Sequence, residues 1–269
     1  MQSNNYSCSI VTYNHSITQI SRVIHCILKG KGVIAIYIID HSKNTELSEI
    51  SNLDPRILYF SNPLNPGFGS GHNFAINIAE ERLIKFHFIV NPDVYFEPGV
   101  MDNMSNFMSS KDNVGLLMPK LLYPDGSIQF LPKYLPNILL IFFRKLFISK
   151  YIFKNIIEEY ELRNYVSDAP IDVPTISGCF CLINIPIFKE FNGFDESYFM
   201  YFEDWDISRK INKKYYTIYY PAVSVYHEYE RGANKNFKLF YHFIRSMVRY
   251  FNHWGWFNSS VEKGKRDFS

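Results

Sequence analysis

The sequence predicts an α/β fold built on a mostly parallel, Rossmann-like sheet flanked by helices. Three observations carry that expectation. Apolar strand signals alternate with helical periodicity between residues 7 and 118, the run VIAIYII at 33–39 is apolar without a break, and the strand runs end on polar or acidic residues. Alternating strands and helices imply parallel neighbours joined by right-handed crossovers. Unbroken apolar runs imply strands covered on both faces.

The elements follow in chain order. SCSIVT, residues 7–12, reads as a strand ending in Tyr13-Asn14-His15. Ile17, Ile20, Val23, Ile24, Ile27 and Leu28 then recur at helical spacing, and Lys29-Gly30 ends that helix. VIAIYII, residues 33–39, is a β-branched run that stops at Asp40; a weak helix over 44–53 and a strand over 57–60 come next. KFHFIV, residues 85–90, is a fourth strand running into Asn91-Pro92-Asp93. Pro98 is expected at the first position of a helix, and residues 114–118 form a further strand. Sheet returns over 173–183, where Cys179 and Cys181 read as small buried hydrophobes. Two strands, 215–220 and 222–226, are expected to join at Pro221, and 237–251 has helical character.

Composition narrows the function. A chain of 269 residues that is 47% hydrophobic and 20% charged folds around a sizeable core and is not disordered. A net charge of +2 argues against a dedicated nucleic-acid partner. From Arg231 onward, however, eight Lys/Arg stand against two Asp/Glu. The four cysteines form no CxxC pair, which points to a reducing compartment. With no charged or apolar leader at the start and no apolar run of bilayer length, a cytoplasmic protein that touches a membrane is expected.

Ligands of parallel sheets sit at the carboxyl ends of the strands. Thr12, Asn14 and Asp40 fall at that edge; Asp40 there suits a ribose or a base, and equally an ordinary turn. Gly67, Gly69 and Gly71 alternate in PGFGSGHN, ahead of Asn73 and a helix, so backbone can approach an anion closely; a plain flexible loop fits as well. Asp93, at the end of a central strand, is placed to hold a divalent ion on a diphosphate. NGFDESYFMYFEDWDISR, residues 192–209, puts Glu203, Asp204 and Asp206 beside an aromatic run, which suits acid/base chemistry; on its own it suits an acidic helix start better.

The ordered set SIVTYN, IID, NP-GFGSGHN, NPDV and NGFDESYFMYFEDWD resembles the family 2 inverting glycosyltransferases of GT-A fold, and most of all bacterial rhamnosyltransferases of O-antigen and related polysaccharides. The resemblance spans roughly residues 7–257. It implies a GT-A domain over 1–230, divided into a nucleotide-sugar half (1–118) and an acceptor half (119–230), with a basic membrane-proximal extension over 231–269. It implies Asp204 as the base that activates an acceptor hydroxyl, with Glu203 positioning Asp204 or the acceptor. His227 would join Asp93 on a cation, Mg²⁺ or Mn²⁺, and Arg231 would face the leaving diphosphate. Thr12, Asn14, Asp40, Gly67, Gly69, Gly71, Asn73 and Asn91 would line the donor site. The wider family has Asp-x-Asp where this chain has Asn91-Pro92-Asp93, one carboxylate fewer for the metal. The implied partners are dTDP-L-rhamnose, a lipid-linked saccharide acceptor and the inner membrane surface, with UDP-hexose or UDP-galactofuranose as other donors. A sugar-nucleotide-binding module without catalysis is the reading from another class. Residues 134–157 are expected either packed against the domain or at the membrane interface, which the lipid-linked acceptors of the resembling family favour. Trp254, Trp256, Lys263, Lys265 and Arg266 suit a headgroup-level anchor or a tail packed on the domain, with Asp206 structural.

Overall fold

The computed structural model describes residues 4–135, 138, 141, 154–165, 167–228 and 237–256. The first half runs β1 (Tyr6–Thr12), α1 (Ile17–Leu28), β2 (Val33–Asp40), a 3₁₀ turn (Glu46–Asn52), β3 (Ile57–Ser61), α2 (Phe68–Glu81), β4 (Phe86–Val90), β5 (Val94–Phe96), α3 (Val100–Ser109) and β6 (Val114–Leu122). Beyond it come α4 (Lys154–Tyr160), β7 (Ile171–Asp172), β8 (Phe180–Asn184), α5 (Ile185–Glu190), α6 (Glu203–Asn212), β9 (Tyr216–His227) and α7 (Phe237–Trp254).

One sheet holds the strands in the order β3-β2-β1-β4-β8-β6-β9-β5, with β7 on β9. The α/β class is as expected, and β3, β2, β1 and β4 are parallel neighbours. Strand β8 reverses direction and runs antiparallel to both β4 and β6, while β9 is again parallel to β6. The first four strands therefore deliver their carboxyl ends to one edge, and β9 brings the end of the chain's second half back to it.

Local chemistry explains the boundaries. The Ser16 hydroxyl accepts the Gln19 N–H at 3.3 Å and caps α1, whose Ile20, Val23, Ile24 and Ile27 are buried. The weak helix over 44–53 is a 3₁₀ turn. Pro98 does not start α3; Gly99, at φ 89°, is the turn residue, and the helix begins at Val100. The two strands expected around Pro221 are one strand, β9, whose pairing with β6 slips from Tyr220 to Ser224. Proline has no N–H to give the ladder, so the strand bulges there without ending.

The larger difference lies at α2. The glycine stretch was expected as a loop, but the helix already starts at Phe68, so Gly69, Gly71 and Asn73 are helical. The glycines are needed for contact: a Cβ on Gly69 would lie 2.9 Å from the Phe194 side chain, and one on Gly71 2.7 Å from Val11. Gly67 precedes the helix at φ 110°, and a Cβ there would sit 2.3 Å from the Phe199 carbonyl oxygen. That carbonyl accepts the Phe68 N–H at 3.0 Å, satisfying one of the unpaired donors that begin any helix. Gly67→Ala is expected to cost about 1–3 kcal/mol for the backbone conformation alone, a melting-temperature drop of roughly 2–12 °C. An unchanged melting curve would refute this strained turn.

Helix α7 packs on the aromatic run ahead of α6. Tyr250 and Phe251 are buried with Tyr198 and Phe202, and the Ser246 hydroxyl donates to the Met200 carbonyl at 2.8 Å. Trp254, read as a headgroup-level anchor or as tail packing, donates its indole N–H to Asp206 at 2.7 Å, under Arg209 and Lys213. Trp256 packs on Phe251. Asp206 is structural, as expected, holding Trp254 and Lys210 together. Lys263, Lys265, Arg266 and most of residues 134–157 lie outside the described residues. Among those described, no helix is long and apolar enough to cross a membrane.

Candidate active site

The site is assembled at the strand edge from three pieces. The first is the end of β1 and β2. Thr12 is buried there with its hydroxyl unpartnered. Asn14 is exposed at φ 57°, and its N–H donates to the Ser42 hydroxyl at 2.7 Å. Asp40 is fully buried, accepting the Ser42 N–H and the Tyr59 hydroxyl, both at 2.9 Å. Each of its oxygens has a partner inside the protein, so it braces the ends of β2 and β3, and each keeps acceptor capacity beyond that bond. His15, which the sequence reading passed over, lies in the field of both Asp93 and Asp40; burial lowers its pKa while the two carboxylates raise it.

The second piece joins Asp93 to His227. The antiparallel pairing of β5 with β9 sets Val94 opposite His227, and the Glu228 N–H donates to the Asp93 carbonyl at 2.9 Å. The ladder thus brings the His227 Nε2 to 3.3 Å from the Asp93 Oδ2. The other carboxylate oxygen, Oδ1, is buried with no hydrogen-bond partner. Burial works to raise the Asp93 carboxyl, but the hydrogen bond and charge of His227 outweigh it and hold its pKa below the usual range. Gln129, also unmarked by the sequence, is buried against His227 and bonded to its ring and backbone. An oxygen without a donor beside an imidazole nitrogen fits a divalent cation. Among the described residues no group of three or more His, Cys, Asp or Glu side chains could close a cage, so substrate oxygens and water would complete the shell.

The third piece is the start of α6. Tyr201 and Phe202 both have positive φ, 72° and 70°, a costly conformation for aromatic residues. This sharp corner delivers Glu203 and Asp204 together. Asp204 accepts the Gly178 N–H at 3.0 Å and the Trp205 N–H at 2.9 Å, and is half-buried. Glu203 is buried, and its Oε2 has no partner. Burial first, then the charge of Asp204, pushes the Glu203 pKa up to about 8. Burial leaves the Asp204 pKa raised as well, against the opposing pull of those two N–H groups and the charge of Lys133. The two N–H partners, set against the unpartnered Glu203 Oε2, favour Asp204 as the seat of the pair's charge.

The pieces meet at Cys179. Its neighbour Gly178 bonds Asp204, its own carbonyl accepts the Asn91 N–H at 2.8 Å, and its thiol feels the charges of both Asp93 and Asp204. The thiol itself is buried and pushed up to about 12, which makes it inert, as expected. Asn73 takes no place among these groups: its amide bonds the Phe194 backbone in both directions and donates to Glu196, tying α2 to the stretch before α6. Gly67 and Gly69 serve the same junction, whereas Gly71 lets α2 close on Val11 and His41. Arg231 lies outside the described residues.

The Glu203 shift has a pH consequence. A carboxyl that keeps its proton only in the fold makes the folded state bind more protons than the unfolded chain between 4.5 and about 8. Its contribution is full below 4.5 and is lost as pH rises through that window. Thermal melts of Glu203→Gln should therefore lose less stability between pH 5 and 8.5 than the wild type; parallel slopes would reject the buried neutral acid.

No protein-family model matches the chain. Two curated relatives, the N-acetylglucosaminyl-diphospho-decaprenol L-rhamnosyltransferases of Mycobacterium tuberculosis strains CDC 1551 / Oshkosh and ATCC 25618 / H37Rv, are each 24% identical over 191 residues, 68% of this chain. The match spans 62% of those relatives' own length. Among solved structures, GalNAc-T7 with UDP, GalNAc and Mn²⁺ aligns with a TM-score of 0.64 at 15% identity, over 84% of this chain and 43% of its own. The mannosyltransferase PcManGT from Pyrobaculum calidifontis, with GDP-Man and Mn²⁺, aligns at 0.62 and 14% identity, over 92% and 64%. In fold the chain is similar to glycosyltransferases of the GT-A type, and in sequence it is similar to the two L-rhamnosyltransferases.

Proposed function

We propose that the protein is an inverting transferase that moves L-rhamnose from dTDP-L-rhamnose to a hydroxyl of a lipid-linked saccharide. One observation carries the reading: Gly178-Cys179 stands between an oxygen-rich corner at Asp93–His227 and the Asp204 carboxyl, so a group for a diphosphate and a group for a proton face one segment. Asp93 and His227 would hold a divalent cation, which when bound neutralises charge on the leaving nucleoside diphosphate. Asp204 takes the acceptor hydroxyl proton as the new C–O bond forms on the face opposite the leaving group, inverting the anomeric centre. The Gly178 and Trp205 N–H groups aim its carboxylate and favour its charged form. Glu203, holding its own proton, prevents a second negative charge from gathering where the acceptor must enter. Thr12, its hydroxyl unpartnered, and Asn91 would line the donor side.

The rhamnosyl donor and prenyl-linked acceptor are supported by what the curated relatives are named for. A lipid-linked acceptor would bring the working enzyme to the inner membrane face, and α7 exposes Phe237, Phe240 and Tyr241 around Lys238. Incubation of the full chain with Mn²⁺, a prenyl-diphosphate-linked N-acetylglucosamine and either dTDP-L-rhamnose, a UDP-hexose or UDP-galactofuranose tests the proposal by mass of the product. A rhamnosylated lipid is expected. A product from another donor would replace the rhamnose assignment, and donor binding without any product would reject transfer.

A further inference from the structure

We propose that Gln129 is a positioning residue that fixes the tautomer of His227 and presents its Nε2 lone pair to the cation shared with Asp93. The inference rests on the cation reading above and adds a residue far from either ligand in sequence. Gln129 is 2% exposed and lies in the loop after β6. Its Nε2 is 2.7 Å from the His227 carbonyl oxygen and 3.3 Å from that of Leu122. Carbonyl oxygens only accept, so this end of the amide must be the NH₂ group. The opposite end is therefore the oxygen, and it lies 2.9 Å from the His227 Nδ1. That oxygen also only accepts, so Nδ1 carries the ring hydrogen.

On the neutral ring the lone pair then belongs to Nε2, the nitrogen 3.3 Å from the Asp93 Oδ2. Nε2 and the Asp93 Oδ2 can face each other only with a proton or a metal cation between them. The proton gives the hydrogen bond that holds Asp93 low, a cation would take its place, and the Asp93 Oδ1 beside them is buried without a donor. Had the amide been turned the other way, Nε2 would carry hydrogen and merely bond Asp93, leaving no nitrogen ligand. The same side chain grips the His227 backbone, so tautomer and ring position are set by one residue. Fixing a ligating imidazole through its other nitrogen is how groups behind a metal's direct ligands raise affinity, and losing such a partner costs about 10–100-fold in metal binding.

Two measurements on the full chain test this. Long-range ¹H–¹⁵N correlation spectra of metal-free, ¹⁵N-histidine-labelled protein, with the ring neutral, should show His227 protonated at Nδ1; protonation at Nε2 overturns the proposal while leaving the cation reading intact. Titration of Mn²⁺, alone and with dTDP, followed by the EPR signal of the free ion, should show Gln129→Leu weakened by about 10–100-fold. Gln129→Glu, whose buried carboxylic acid can donate to the His227 carbonyl and accept from Nδ1, should keep both the tautomer and the affinity. Wild-type Mn²⁺ affinity in a folded Gln129→Leu protein overturns the proposal. A wild type that binds no Mn²⁺ under either condition overturns the cation reading with it. If Gln129→Leu does not fold, the wild-type tautomer and Gln129→Glu decide.

Discussion

Asp204→Asn is expected to lower transfer by about 10²–10⁴-fold while the nucleotide-sugar binds as before. The substitution keeps the shape and removes the charge. Asp204 faces a backbone N–H on each side, from Gly178 and from Trp205, so an amide must turn its NH₂ toward one of them. That leaves one donor opposed and costs about 1–3 kcal/mol, small enough for the protein to remain folded and measurable. The result to look for is a collapse of kcat with donor affinity preserved in calorimetry. Turnover near that of the wild type would remove Asp204 as the base and return the Glu203–Asp204 pair to a structural role at the start of α6.

Asp93→Ala should act on the other side of the site. It removes the unpartnered buried oxygen and the partner of His227 at once, so cation-dependent donor affinity should fall by at least the roughly 10–100-fold that loss of an outer partner costs. Because the carboxyl lies below the usual range, the group lost is a carboxylate at every pH where the enzyme would work. Calorimetry with Mn²⁺ present separates this variant from Asp204→Asn: donor heat should disappear in one and persist in the other. Unaltered donor affinity in Asp93→Ala would sink the diphosphate role. His227 alone would then be left with a carbonyl-braced ring and nothing to share a cation with.

The parts of the fold legible in the sequence were those written in local chemistry. The run at residues 33–39 and the isoleucine and valine spacing of α1 leave little choice of state, and strand ends marked by Asp40 and Asp93 lie where polar residues predicted them. The reversal of β8 was not legible, because direction in a sheet depends on the path of a distant connection. Pro221 misled for the opposite reason: a local rule was overridden by a bulge in a long strand. In PGFGSGHN the glycines signalled a loop, but Gly69 and Gly71 are small because Phe194 and Val11 press on the helix. The site divides the same way. Asp93, His227 and Asp204 stand in recognisable stretches, whereas Gln129, His15 and Tyr59 gain their meaning only from partners the chain brings in later. Asp40 stands in such a stretch too, and its bonds to Ser42 and Tyr59 were not legible there.

The β5–β9 ladder sets a timetable for biosynthesis. Among the described residues the three of β5 pair only with β9, whose last residue is His227, so a ribosome-bound chain that has exposed Asp93 and Asp204 still lacks the strand that orients the first of them. Until residue 227 leaves the exit tunnel, β5 is an edge without a neighbour and the cation corner does not exist. Nucleotide with Mn²⁺ should then protect the finished chain from protease far better than a version stopped before β9, making ligand-induced resistance a gauge of completed synthesis.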